Sequence, residues 1–68
     1  MINHNISQDV YLDIIYGYVK EFDLNIEKSI LRSKALEWSI TRGARSGRVA
    51  WQFILQLAGE LNKKIYLN

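Results

Sequence analysis

The sequence predicts an all-α fold, a small bundle of three to four helices forming one domain over residues 1–68. Three observations predict it. Proline is absent and glycine occurs only four times, so little interrupts a helix. Apolar residues recur at the i, i+3, i+4 spacing of one helix face along most of the chain. Hydrophobic residues make up 49% of the chain and aromatics 12%. A domain this short hides only roughly 60% of the surface its unfolded form exposes, so its core has to be dense.

The first helix is predicted over residues 8–22. Ser7 precedes it as a favourable N-cap, and Asp9 falls in the first turn, where the positive end of the helix dipole favours an acid. Tyr11, Ile14, Ile15, Tyr18, Val19 and Phe22 form its apolar face, with Asp9, Asp13, Gly17 and Lys20 opposite. Asp23-Leu24-Asn25 ends it. The second helix is predicted over residues 27–42, with Asn25 as a cap. Leu31, Ala35 and Trp38 form one stripe, while Leu36 and Ile40 lie on another side, the pattern of a sandwiched helix. Gly43 suits the left-handed residue that closes it. The third helix is predicted over residues 46–62, capped by Ser46. Val49, Ala50, Phe53, Ile54, Leu57 and Leu61 form its central apolar face, and Trp51, Leu55 and Ala58 widen that face. Such a helix is the middle of the bundle or is covered by a partner. The tail 63–68 reads equally as a packed segment or a frayed end.

Composition removes several classes of function. The chain has no cysteine, which excludes disulfide scaffolds, thiolate zinc sites and thiol catalysis and points to a cytoplasmic location. No apolar run approaches the roughly 20 residues that span a bilayer, so no membrane partner is expected. No secretory leader is visible. The net charge of +2 is unevenly spread: residues 1–27 carry one base against five acids, and residues 28–68 carry eight bases against two acids. That asymmetry fits an anion-binding end, or acids of the first helix facing the bases of its neighbours.

The chemistry-bearing motifs are few. There is no phosphate-cradling loop of the G-x-x-x-x-G-K-[ST] type, no G-x-G-x-x-G, and no metal-ligand spacing. His4, the lone histidine, has no carboxylate near it in sequence with which to build a nucleophile–base–acid set. No catalytic residue is therefore assigned, and the chain alone reads as a non-enzyme. One segment remains: Arg42-Gly43-Ala44-Arg45-Ser46-Gly47-Arg48. Its three arginines gather where the third helix begins, and free N–H groups and the helix dipole favour anions there. Guanidinium forks match phosphate oxygens, and the glycines permit a tight turn and close backbone approach. The same residues also suit an ordinary interhelical turn with solvated arginines.

From this segment outward the sequence resembles a known family. The run Ala35-Leu36-Glu37-Trp38-Ser39-Ile40-Thr41-Arg42-Gly43-Ala44-Arg45-Ser46-Gly47-Arg48-Val49-Ala50-Trp51-Gln52-Phe53 is similar to the C-terminal end of a bacterial family of AAA-type (AAA+) ATPases of unknown function. Ser7-Gln8-Asp9-Val10-Tyr11-Leu12-Asp13-Ile14-Ile15 is similar to the start of the same region, just after the ATPase core. The likeness covers residues 6–61, and Arg45-Ser46-Gly47-Arg48-Val49-Ala50 is its most specific part. It implies the helical lid that follows a P-loop core of the same parent chain, with ATP and magnesium held by that core and a homo-oligomeric parent. Gly43-Ala44-Arg45 also resembles the Gly-Ala-Arg that carries the sensor-2 arginine of Clp-type unfoldases. The resemblance implies Arg45 as the nucleotide sensor, Arg48 as the reserve, and Gly43 and Ser46 as the backbone that presents them. The Walker motifs themselves are not in these 68 residues.

Two other readings stand beside the lid. A helix-turn-helix nucleic-acid-binding domain fits three helices and a basic second half. Its third helix, however, offers only Gln52, Gln56 and Glu60 as polar reading groups, so nucleic acid is not expected as a partner. A protein-interaction module docking through Trp51, Leu55 and Ala58 is compatible with the lid.

Overall fold

A computed structural model describes residues 5–63 of the chain. Three helices follow one another: α1 (Gln8–Glu21), α2 (Lys28–Arg42) and α3 (Gly47–Glu60). They lie within two residues of the predicted bounds, and no strand occurs among the described residues. His4 and residues 64–68 of the tail lie outside the described residues.

Caps explain where the helices start. The Ser7 hydroxyl accepts the Val10 N–H at 3.2 Å, and the Ser46 hydroxyl accepts the Val49 N–H at 3.1 Å. Each satisfies one of the four N–H groups that a helix start leaves without a partner. Asn25 does not cap α2. Glu27 holds the capping position and makes no side-chain cap bond. Its carboxylate instead accepts the Ser29 hydroxyl at 2.6 Å. A glutamate side chain is too long for the tight capping loop that Asn or Ser closes, so α2 begins without that bond.

All three helices end in the same way. Asp23, Gly43 and Asn62 adopt left-handed backbone, with φ of 53°, 70° and 56°. The residue after each returns a bond into the helix: Leu24 N–H to Val19 O at 2.9 Å, Ala44 N–H to Ser39 O at 3.2 Å, and Lys63 N–H to Ala58 O at 2.8 Å. This is the Schellman closure, which satisfies carbonyls that the helix end strands. It also explains Leu24, which is buried although it lies in a loop. The residue following a left-handed closure commonly packs back on the last turns of the helix.

The core gathers on α3. Val49, Ala50, Phe53, Ile54, Leu57 and Ala58 are buried there against Tyr11, Leu12 and Ile15 of α1 and Leu31 and Ala35 of α2. α3 is thus the middle element, as its wide apolar face predicts. Tyr11 is fully buried and crosses from α1 to α2, where its hydroxyl donates to the Ala35 carbonyl at 2.7 Å. Burial disfavours the phenolate and pushes its pKa up to about 12. On the rim, Lys34 of α2 meets Glu60 of α3 at 3.7 Å. Both side chains are about half exposed, so this pair adds little.

Three further expectations change. Leu61 does not join the α3 core face: it is the C-cap residue, beyond the last helical turn, and is 37% exposed. α2 is not sandwiched: Ile40 is 79% exposed, while Leu36 is only partly buried against the core. In a three-helix bundle α2 meets neighbours on one side, so its second apolar side faces outward. Nor do Trp51, Leu55 and Ala58 form a free strip. Ala58 is buried, and Trp51 packs against Tyr18 and Phe22 with ring centroids 5.2 and 5.9 Å apart. Only Leu55 of the three is exposed. Trp51 is thus covered by Tyr18 of α1 and by Phe22 at its end, within the same chain.

Candidate functional site

The segment between α2 and α3 occupies one end of the bundle. Gly43 ends α2 in left-handed backbone, where a side chain is strained. Ala44 turns inward and packs on the core. Arg45 follows, then Ser46, whose hydroxyl is taken up by the α3 cap. Gly47 and Arg48 are exposed and form the first turn of α3. A helix start leaves its first N–H groups without intrahelical partners and carries partial positive charge, so this turn faces solvent as an anion-attracting surface.

The three arginines do not converge as the sequence predicts. Arg42 lies over the indole ring of Trp38, with the guanidinium carbon 3.9 Å from the ring centroid. That cation–π contact turns Arg42 back along α2. Arg45 is half-buried and turned toward the segment ahead of α1, where its Nε donates to the Ile6 carbonyl at 3.0 Å. Arg48 stays exposed on α3. In sequence Arg45 and Arg48 stand on either side of the Ser46 cap, while Arg42 belongs to the Trp38 side of the bundle.

Sequence reasoning missed the partner of Arg45. The Ile6 N–H donates to the Arg45 carbonyl at 2.8 Å, and the Arg45 N–H donates to Asn5 Oδ1 at 2.8 Å. Residues 5–6 thus hold Arg45 by one backbone–backbone bond and two bonds that involve side chains. An Asn followed by an apolar residue ahead of a helix cap is too common a pattern to signal such a contact from sequence.

The electrostatics of the three helix starts differ. α1 carries Asp9 in its first turn, and α2 is preceded by Glu27. α3 has no acid in its first turn, carries Arg48 there, and is preceded by Arg45. Cations at a positive dipole end are unfavourable by roughly 0.3–1 kcal/mol each, and a bound anion reverses the sign. Local conflicts of this kind concentrate at functional sites. Among the described residues, no group of three or more His, Asp or Glu side chains stands close enough to hold a metal ion.

Over residues 1–61 the sequence matches the family described as protein of unknown function (DUF815). No curated protein and no solved structure matches the chain.

Proposed function

The chain belongs to that family of unknown function, and from this premise we propose that it is the helical lid of an AAA-type ATPase. It covers the nucleotide of a P-loop core, and Arg45 contacts the ATP phosphates in the manner of sensor 2. The observation that carries the reading is the α3 start. It is the one helix start of the three without an acid, and Arg45 and Arg48 stand on either side of its cap. A terminal phosphate brought there meets helix N–H groups, a favourable dipole and two guanidinium groups. Arg45 is the primary contact because it is half-buried and oriented, and Arg48 is the exposed reserve. Gly43 and Ser46 set the backbone that carries both. Magnesium and the Walker groups belong to the core of the parent, and subunits of a homo-oligomeric parent meet around the same site.

ATP hydrolysis by the longest natural chain that contains this segment tests the reading. Charge-assisted bonds to phosphate contribute about 1.5–3 kcal/mol each, so Arg45→Ala should slow turnover roughly 10- to 100-fold. Circular dichroism should show the helices retained. Turnover equal to the parent's, or a natural chain with no P-loop ahead of this segment, refutes the lid reading.

A further inference from the structure

Three hydrogen bonds tie Arg45 to the residues that lead into α1. Ile6 N–H meets the Arg45 carbonyl, Arg45 N–H meets Asn5 Oδ1, and Arg45 Nε meets the Ile6 carbonyl. The bonds that Arg45 donates span 40 and 39 positions in sequence, so only the folded bundle creates them. The Ile6 side chain packs against the core, which anchors this segment at a fixed place. A guanidinium is planar and carries donors on Nε and on both terminal nitrogens. Holding Nε fixes the plane of the group and leaves Nη1 and Nη2 as a fork for a planar or tetrahedral anion.

We infer that Asn5 and Ile6 are positioning residues for Arg45, and that their grip and an oligophosphate on Arg45 strengthen each other. The inference rests on Arg45 reading phosphate, as proposed above. The physical reason is preorganisation. A long side chain loses rotamer freedom when it binds a ligand, and a side chain already held loses less. Coupling of this kind is reciprocal, so an anion on the fork tightens the hold on residues 5–6. The segment entering α1 thereby registers whether Arg45 is occupied.

The test is a nuclear magnetic resonance titration of the 68-residue chain with inorganic tripolyphosphate at low salt. It reads the Arg45 Nε–H resonance and the hydrogen-exchange rate of the Ile6 amide. The expected result is a saturable Nε–H shift, with Ile6 exchange slowed by roughly threefold to tenfold. Asn5→Ala should weaken tripolyphosphate binding by a similar factor. Asn5 is exposed, so its truncation leaves the core intact. Arg45→Lys keeps the charge without the planar fork, and should bind weakly with no slowing at Ile6. Equal slowing in Arg45→Lys overturns the positioning role. An Nε–H shift with unchanged or faster Ile6 exchange overturns the coupling and leaves the phosphate reading intact. No Nε–H shift up to about 10 mM, a millimolar-affinity ceiling, overturns the phosphate reading and the coupling with it.

Discussion

Two of the polar tethers among the described residues sit at opposite extremes of burial. One is the Tyr11 hydroxyl on the Ala35 carbonyl, with both residues 0% exposed. The other joins Asn5 and Ile6 to Arg45 at the rim, between groups that water reaches. The buried tether is a single bond of 2.7 Å, and the rim tether has three bonds of 2.8–3.0 Å. Number of bonds does not rank them. A buried donor left without its partner has no water to turn to, whereas a rim donor exchanges one acceptor for another at small cost. The first tether therefore belongs to stability. The second can be retuned by a ligand without unfolding the domain.

That contrast can be broken by experiment, most strongly in the core to which Tyr11 belongs. Leu57 is buried at 1% exposure on α3. Leu57→Ala should lower unfolding free energy by about 2–5 kcal/mol, read by urea denaturation. In a domain of this size a loss at the upper end leaves little folded protein. A loss below about 1 kcal/mol would mean that the core around α3 is loosely packed.

Alkaline titration comes next. The Tyr11 pKa is raised by burial to about 12 in the folded chain, above its ordinary value of 10.0. The folded form therefore holds its proton where the unfolded form has lost it. The stability involved is fully present below pH ~10 and fades as pH rises through about 12, by roughly 2–3 kcal/mol in all. Tyr11→Phe should remove that alkaline step, which a melt series from pH 8 to pH 12 would detect.

Gly43→Ala sharpens the comparison at the joint between the tethers. Alanine in left-handed backbone costs about 1–2 kcal/mol, and open space around the site means that strain, not collision, is responsible. Calorimetry should show a melting temperature lowered by roughly 4–16 °C. At neutral pH the two tethers can then be compared directly. Tyr11→Phe should cost about 0.5–1.5 kcal/mol, and Asn5→Ala less than about 0.5 kcal/mol. A rim variant that costs more than the core variant would overturn the assignment of roles.

Much of this was legible before any coordinates. Ser7, Ser46 and Gly43 announce helix ends because capping depends on the shape of one residue and its nearest neighbours. Asp23 and Asn62 perform the same left-handed closure as Gly43 but carry a weaker signal, because these residues serve many kinds of turn. The α3 core face emerged from spacing except at Leu61, where the helix has already ended. Leu12 and Leu24 did not: one lies off the main stripe of α1 and the other lies in a loop, yet both are buried in the core. The site was legible as a composition and misread as a geometry. Three arginines in seven residues marked the segment, but Trp38 claims Arg42 and Ile6 claims Arg45.

By itself the sequence determined the three helices, their order, most of their ends and the central place of α3. Propensity, capping and apolar period act over a few residues, and each is written in consecutive letters. Only the tertiary structure decided that Trp51 turns onto Tyr18 and Phe22, that Ile40 faces outward, and that residues 5–6 grip Arg45. Those outcomes depend on which surfaces meet once the helices pack, and contacts across 40 positions leave no periodic trace in the chain.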